Sequence, residues 1–316
     1  MNDPILIVDG LNVFMRHFCA NPSLSENGDH VGGFLGFLGG LGNLCEKFGP
    51  KKIIVVWESG GNPRKRAIAA SYKKGRRPPK LNRYYEGDIP ATSQNHTFQV
   101  SLLVKALSSL PVTQIYVRDC EADDVIGYLG RYVCNDSATI LVSSDKDLYQ
   151  LIDHKTKQWS PGQKRLIDKT YILEKFGIST ENFVSARAFI GDGSDNIIGV
   201  KGAGFKTMSK WFPSLMSEKF ISCNEIIDIA KEMTLSNKGK TIKSIAESSD
   251  LANKNWKLMH LDTSRLSGDQ IHKISGQLEN IGISNKMEIM RLMTQCGMQK
   301  FDINRHFAAI NSVRNK

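Results

Sequence analysis

Short apolar runs, rich in β-branched residues, alternate with helix-like stretches through the first half of the chain. The runs predict strands because such side chains fit the pleated surface of a buried sheet, and the helical spacing of apolar residues between them predicts helices. Alternation of this kind is typical of a doubly wound, mostly parallel sheet, so we predict an α/β fold. The predicted strands are residues 5–8, 53–57, 114–117 and 139–142, and the predicted helices are residues 31–44, 97–110 and 121–133.

The pattern changes near residue 180, and the segments beyond it are mostly helical. A glycine-rich turn at residues 199–204 and a polar loop at residues 236–240 separate these segments. We therefore predict one domain at residues 1–180 and a second, helical region at residues 181–316. The function of this second region beyond residue 220 cannot be read from its pattern alone.

Composition places the chain among ordinary globular proteins. The chain has 316 residues, of which 41% are hydrophobic and 23% charged. No run of 18 apolar residues occurs, and the apolar start lacks the basic stretch of a signal peptide, so we expect neither a membrane span nor a leader. The six cysteines show no paired spacing, which favours free thiols and a cytoplasmic location.

The net charge of +10 is concentrated in one segment. Residues 59–85 contain nine basic residues and no acidic one, and the rest of the chain holds 33 basic against 32 acidic residues. A solvated surface is the ordinary explanation of a basic run, whereas a focused patch also suits the docking of a polyanion. The nine residues are Arg64, Lys65, Arg66, Lys73, Lys74, Arg76, Arg77, Lys80 and Arg83.

Acidic residues stand where the predicted strands end, at the edge where open parallel sheets bind their ligands. A single such acid is usually a turn or helix-cap residue, but many converging acids repel one another unless cations compensate them. Carboxylates without histidine or cysteine suit Mg²⁺ or Mn²⁺, and two such ions can promote the hydrolysis of a phosphodiester. The acids at the strand ends are Asp9, Glu58, Glu121, Asp123, Asp124, Asp145 and Asp147, and Asp192 and Asp195 come further along the chain.

Several motifs occur in an order that resembles the flap endonuclease / 5′→3′ exonuclease family of structure-specific nucleases. Each motif is weak alone, but the ordered set spans residues 5–212 and is specific. A stretch at residues 157–161 is similar to phage ribonuclease H members of this family. The motifs are IVDG at 7–10, YKKGR at 72–76, EADD at 121–124, SDKD at 144–147 and GDGSDN at 191–196.

The resemblance implies two metal sites occupied by Mg²⁺, with Mn²⁺ as a substitute. The first would be lined by Asp9, Glu58, Glu121 and Asp123, and the second by Asp145, Asp147, Asp192 and Asp195, with Asp124 able to reach either ion. Glu58 is a departure, since the family usually has Asp at this position. We expect Glu58 to bind metal, although its longer side chain also allows an outer-sphere role or none.

The resemblance also implies how DNA is held. Residues 62–92 would form an arch for a single-stranded 5′ end, with Lys73 and Arg76 gripping the scissile phosphate and Tyr72 beside them as a stacking surface. A helix-hairpin-helix turn near residues 191–212 would hold duplex DNA and a K⁺ ion. The remaining expected DNA contacts are Arg16, Arg64, Lys65, Arg66, Lys74, Arg77, Lys80, Arg83, Lys201, Gly202, Gly204 and Lys206.

The function implied is a 5′ nuclease of DNA replication that cuts flaps, trims 5′ ends and removes RNA primers from RNA–DNA hybrids. We expect a monomer, with a single-strand-binding protein or a clamp as partner. Two alternatives stay open at this point: a non-catalytic DNA-binding module, and a PIN-like nuclease of single-stranded RNA. The second normally lacks both a basic arch and a hairpin.

Overall fold

Apolar strands form one six-stranded sheet, in the order β3-β2-β1-β4-β5-β6. The structure, a computed structural model, describes residues 3–58, 60–74, 92–236, 239–261 and 266–313. All neighbouring strands are parallel except β5 and β6, which are antiparallel. The strands are β1 (Ile5–Asp9), β2 (Lys52–Trp57), β3 (Thr113–Tyr116), β4 (Thr139–Val142), β5 (Thr156–Ser160) and β6 (Arg165–Ile167).

Helices cover the sheet and continue beyond it. Those that follow or precede the first strands are α1 (Gly10–Ala20), α2 (Gly32–Phe48), α3 (Pro63–Ile68), α4 (Thr92–Leu107) and α5 (Ala122–Tyr128). The later ones are α6 (Lys169–Phe176), α7 (Phe183–Ile190), α8 (Phe205–Trp211), α9 (Cys223–Leu235), α10 (Lys240–Ala246), α11 (Ser249–Met259), α12 (Gly268–Leu278), α13 (Lys286–Gln295) and α14 (Asn304–Asn311). None of the helices within the described ranges is long and apolar enough to cross a lipid bilayer.

The predicted α/β fold with a mostly parallel sheet is confirmed, and the four predicted strands match β1 to β4 within one residue. The predicted helix at 121–133 is α-helical only to Tyr128 and ends in a π-helical turn, Leu129–Val133. Strands β5 and β6 were not predicted. Strand β5 carries mainly polar residues and alternates between buried and half-buried positions, so it lacks the apolar run that revealed the other strands.

Apolar side chains are buried on both faces of the sheet, as expected for parallel strands covered by helices. Successive residues of β1 illustrate this, since Leu6 and Val8 pack into one cluster with α1, α2 and α4, while Ile5 and Ile7 pack into another with α5. The sheet is thus fixed between two apolar layers. Its strand ends, which carry the acidic residues, are thereby held in a defined register.

A third apolar cluster lies among helices α7 to α11 and contains Phe189, Met208, Phe212 and Ile226. The chain then returns, because α13 and α14 contribute Ile289, Leu292 and Ile310 to the first sheet layer. Helix α14 packs closely on α2, where a Cβ atom added at Gly42 would lie 2.8 Å from the Cα of His306. The division at residue 180 stays a prediction, and apolar residues from 181–316 are distributed over five clusters, which include both layers of the sheet.

Candidate active site

Three acids lie where neighbouring strands end, at one edge of the sheet. Asp9 is the last residue of β1, and its carboxylate accepts hydrogen bonds from the backbone of Asn12 at 3.2 Å and from the hydroxyl of Ser143 at 2.9 Å. Glu58 follows β2 directly and accepts one from the backbone of Ala122 at 3.3 Å. Asp145 follows β4, where its backbone N–H donates to the same Ser143 hydroxyl at 3.0 Å. The bonds to Ser143 tie β1 to the loop that follows β4.

Helix α5 brings further acids to this edge from its first turn, where carboxylates favour the helix dipole. Together with the strand-end acids they line a cleft of about 400 Å³. The sequence-predicted acids of the first metal site and one acid of the second therefore meet in one cavity, beside the predicted phosphate-binding lysine. The lining residues are Asp9, Leu11, Asn12, Met15, Glu58, Gly60, Gly61, Lys73, Glu121, Asp123 and Asp145.

The surroundings of Asp9 and Asp123, in the centre of the cleft, destabilise the negatively charged form of each side chain. Burial raises the pKa of Asp9 to about 7, and repulsion from Asp145 and Glu58 adds to the rise against two hydrogen bonds that oppose it. Burial also raises the pKa of Asp123 well above its ordinary value, with Asp145 and Asp9 as the next contributors. At neutral pH this centre therefore takes up either protons or a cation.

An oxygen-only donor set of buried, mutually repelling carboxylates fits a hard divalent cation such as Mg²⁺. Among the described residues, no three acids, histidines or cysteines form a ready-made ion site. Mg²⁺ usually keeps several water ligands and binds through only one or two carboxylates, so a loose group of acids is compatible with it. The residues present thus fit the metal that the family resemblance implies.

Glu121 differs from its neighbours because three donors from the start of the arch converge on its carboxylate. Lys73 donates at 2.5 Å, Tyr72 donates through its hydroxyl at 3.0 Å, and Lys65 forms a close ion pair. Burial acts to raise the pKa of Glu121, but the ammonium groups of Lys65 and Lys73 outweigh it and hold the pKa at about 2. Glu121 is 1% exposed and remains a carboxylate that anchors the arch base.

Lys65 and Asn62 connect helix α3 to helix α5. Lys65 is 3% exposed, and its ammonium lies 3.6 Å from Asp124 as well as against Glu121. Asn62 caps α3 through its side-chain oxygen and donates from its amide to Asp124 at 2.8 Å. The sequence predicted Lys65 and Tyr72 as DNA contacts, whereas the structure places both polar groups against Glu121, and Asp124 faces α3 rather than the cleft.

The acids Asp147 and Asp192 of the predicted second metal site share a guanidinium. Arg187, from helix α7, donates to Asp147 at 3.0 Å and to Asp192 at 2.5 Å. Burial, followed by repulsion from Asp145, raises the pKa of Asp147 to about 6, and Arg187 limits the rise. Asp195 lies on the far side of this group, 3.9 Å from the ammonium of Lys73.

Arg187 was not among the residues predicted from the sequence. A signal was present, because it is the only charged residue in the otherwise apolar helix Phe183–Ile190 and is 8% exposed. Charged residues are almost never buried without a partner, so an arginine in such a helix indicates a buried acid nearby. Asn62 and Ser143, which also hold acids in place, gave no comparable signal.

The other predicted DNA contacts that the structure describes lie on the surface of the molecule. Those described by the structure are exposed or half-exposed, while Arg76, Arg77, Lys80 and Arg83 lie outside the described residues. The turn at residues 199–204 connects to α8, whose N-cap is Gly204, and Gly202 has a left-handed φ of 86°. The exposed side chains are Arg16 on α1, Arg64 and Arg66 on α3, Lys74 after it, and Lys201 and Lys206 around the turn.

Several solved nucleases have a similar α/β fold. A complex of the bacteriophage T5 flap endonuclease with DNA and metal ions aligns with a TM-score of 0.70 at 20% identity, covering 88% of this chain and 98% of that one. The catalytic core of Rad2 in complex with a DNA substrate aligns with a TM-score of 0.51 at 15% identity, covering 98% and 91%. At these identities the likeness concerns the fold.

The sequence comparison is more specific. The chain is 30% identical over 218 residues to a 5′-3′ exonuclease of Bacillus subtilis (strain 168), covering 66% of this chain and 69% of the relative. It is 30% identical over 208 residues to the thermostable DNA polymerase I of Thermus thermophilus, covering 65% of this chain but only 23% of that polymerase. The model of the 5′-3′ exonuclease N-terminal, resolvase-like domain matches residues 4–177, so the chain belongs to the 5′-3′ exonuclease family.

Proposed function

We propose that this protein is a divalent-cation-dependent 5′ nuclease that hydrolyses DNA phosphodiesters at 5′ flaps and 5′ ends. The observation that carries the proposal is the cleft in which Asp9, Glu58, Asp123 and Asp145 meet the ammonium of Lys73. Such a cleft offers oxygen ligands for cations on one side and a positive group for a phosphate on the other. The DNA and metal ions in the T5 flap endonuclease complex, named above, support the same assignment.

The acids of the cleft would hold one Mg²⁺ through Asp9, Glu58 and Asp123, and a second between Asp145 and the Asp147–Asp192–Asp195 group. Bound Mg²⁺ supplies an activated water and offsets the charge that develops on the phosphate. Glu58 accepts a hydrogen bond from the backbone of Ala122 through one carboxylate oxygen, and its other oxygen would be the one to bind an ion. The chain itself orients these acids through Ser143, Asn12 and Arg187.

Lys73 would act on the phosphate. When a substrate enters, the Lys73 ammonium can exchange part of its contact with Glu121 for a contact with the scissile phosphate. This phosphate would lie beside the same acids. Burial acts to lower the pKa of Lys73, but Glu121, Asp123 and Asp195 outweigh it and raise the pKa, so the group stays charged. A charged lysine next to the reacting phosphate stabilises the transition state electrostatically.

The finer features of the substrate are proposed from the membership of this chain in the 5′-3′ exonuclease family. We propose that the basic arch takes a single-stranded 5′ end, that the 199–204 turn binds duplex backbone with a K⁺ ion, and that RNA primers in RNA–DNA hybrids are also removed. Glycine-rich turns at helix N-termini bind phosphates without reading bases, which suits recognition by shape. A single-strand-binding protein or a clamp is the proposed partner during replication.

A cleavage assay tests the function directly. Labelled 5′-flap DNA, nicked duplex, RNA–DNA hybrid and single-stranded RNA are incubated with the protein in Mg²⁺, in Mn²⁺ and in EDTA. We expect cleavage near the junction or the 5′ end, and none in EDTA. Binding of DNA without cleavage would favour a non-catalytic module, and cleavage of single-stranded RNA without junction preference would favour a PIN-like nuclease.

The role of Lys73 is tested with a matched pair of variants from the same turn. Lys73→Ala is expected to slow single-turnover cleavage by about a hundredfold, because it removes a charge beside the reacting phosphate. Lys74→Ala removes an exposed charge of the same type one residue away, and we expect it to weaken binding with little change in the bound rate. Equal single-turnover rates for Lys73→Ala and wild type would remove this role.

A further inference from the structure

The turn at residues 192–197 carries Asp192 and Asp195, which the proposed second metal site uses, and Asn196, which it does not. Asp192 and Ile197 exchange two backbone hydrogen bonds of 2.8 Å, which close the turn at both ends. Asn255, from α11, donates its amide to the carbonyls of Ala188 and Ile198 at 2.8 Å each, which fastens the turn to the helices. Asn196 itself adopts a left-handed φ of 58° that directs it out of this turn.

The side chain of Asn196 contacts the base of the arch. Its amide donates to the backbone carbonyls of Ser71 at 3.2 Å and of Lys74 at 2.6 Å. Between these two residues, the backbone N–H of Lys73 donates to the carbonyl of Asp195 at 3.1 Å. Residues 71–74, which we call the arch-base turn, are therefore held at both ends and in the middle by the 195–196 backbone and one amide.

The arch-base turn needs this support because its backbone is strained. Lys73 has a left-handed φ of 52°, a conformation that is strained for a residue with a side chain. The same conformation directs the Lys73 ammonium to Glu121 and into the cleft. Without contacts from outside, a chain of this sequence relaxes toward ordinary backbone angles and the ammonium leaves its place.

We infer that Asn196 is a positioning residue that fixes the arch-base turn and so places Lys73 for the reaction. The inference rests on the proposed nuclease function for its catalytic consequence, and on the hydrogen bonds alone for its structural consequence. Asn196 touches neither the cleft nor a reacting atom. It acts through the two carbonyls that it holds.

Two substitutions test whether the side-chain amide of Asn196, rather than its backbone conformation, holds the arch-base turn. In Asn196→Gly the left-handed φ is retained without strain but the amide is absent. In Asn196→Asp the size is retained, but a carboxylate accepts hydrogen bonds and cannot donate to carbonyls. Asp119→Gly is the control, since Asp119 is also an exposed residue with a left-handed φ, of 62°, and lies outside the arch-base turn.

Hydrogen exchange measures the structural part. Because both Asn196 variants lose two hydrogen bonds to this turn, we expect the amides of residues 71–74 to exchange about tenfold faster in each. Single-turnover cleavage of a 5′-flap DNA should slow by about the same factor, with the Kd for that DNA within about twofold of wild type. Asp119→Gly should change neither quantity.

Unchanged exchange at 71–74 in Asn196→Gly, wild-type behaviour of Asn196→Asp, or an equal loss in Asp119→Gly would overturn the inference. A wild-type protein that cleaves nothing would contradict the proposed function while the exchange result still decides the contact.

Discussion

The acids of the candidate site form two groups, a first group that lines the cleft and a second group of Asp147 and Asp192. The repulsion between the carboxylates is compensated differently in the two groups. In the second group, Asp147 and Asp192 share the guanidinium of Arg187, so the protein itself supplies the compensating charge. In the cleft, the lysines reach Glu121, but Asp9 and Asp123 stay buried next to other acids and their pKa values rise. Positive charge brought from outside is therefore needed most at Asp9 and Asp123.

This difference predicts which half of the site depends on a cation. A buried acid that already has an arginine partner gains less from an ion than one that repels its neighbours. The first metal should accordingly bind between β1 and α5. The Arg187 group should bind a second ion more weakly, or through water.

The largest expected effect separates the two groups by activity. Asp123→Asn should reduce single-turnover cleavage by about 10³-fold, because it removes a carboxylate from the centre of the cleft. Asp192→Asn should cost about 10–100-fold, the usual effect of a residue that orients ligands. DNA binding measured in EDTA should persist in both variants. Equal losses of rate would show that the two groups contribute alike.

A second effect concerns stability, and it tests the compensating arginine. Arg187→Met removes the guanidinium that the half-buried Asp147 and Asp192 share and should lower the free energy of unfolding by about 3 kcal/mol in EDTA. Arg305→Met breaks an exposed ion pair with Glu46 and should leave the free energy of unfolding nearly unchanged. Urea denaturation measures both, and Mg²⁺ should recover part of the Arg187→Met loss. A loss no larger than that of Arg305→Met would show that Arg187 does not stabilise Asp147 and Asp192.

A smaller effect appears in the pH dependence of the cation-free protein. Asp9 keeps its proton in the folded state up to about pH 7, while the unfolded chain loses it near pH 3.8, so this residue makes stability fall as pH rises between these values. His17 acts with the opposite sign, because burial followed by Arg16 lowers its pKa from 6.5 to about 4. The difference in stability between wild type and Asp9→Asn isolates Asp9. It should change by about 1 kcal/mol per pH unit from pH 5 to 7, and a flat difference would contradict a buried, repelled Asp9.

The smallest effect distinguishes basic residues that serve the acids from those that serve DNA. Replacing the exposed Arg64 and Arg66 by alanine should reduce the salt dependence of binding to a single-stranded 5′ tail by about 0.7 per lost phosphate contact. Lys65→Met, between them, should leave this slope unchanged because its ammonium faces Glu121. Fluorescence anisotropy at several salt concentrations measures the slope. A reduced slope in Lys65→Met would show that Lys65 leaves Glu121 for DNA.

The fold and the meeting of the acids were predictable because they follow from local pattern. Apolar runs set the strands, and the carboxyl ends of parallel strands share an edge, which places Asp9, Glu58 and Asp145 together without further information. The strand β5 was missed because its polar residues carry no apolar run. Its place is set by pairing with β4 rather than by its own sequence.

The electrostatic division of the site was not predictable, since it depends on which direction a charged side chain faces. Lys65 stands among nine basic residues in a segment without acids, and nothing in that pattern distinguishes it from the exposed Arg64 and Arg66. Its burial follows from Asn62, which caps α3 and binds Asp124, and so turns one face of a six-residue helix toward α5. Helix α3 is too short for its periodicity to reveal that face.

The return of α13 and α14 to the first sheet layer has a consequence for how the molecule folds. The first sheet layer is built from distant parts of the chain. Its apolar interior includes side chains separated by more than 250 residues, such as Leu41 and Ile310. Contacts of such long sequence separation close late, at a high cost in loop entropy. A chain that lacks α13 and α14 would leave the face of α2 open to water, so we expect the nascent chain to need chaperone protection until these two helices have emerged.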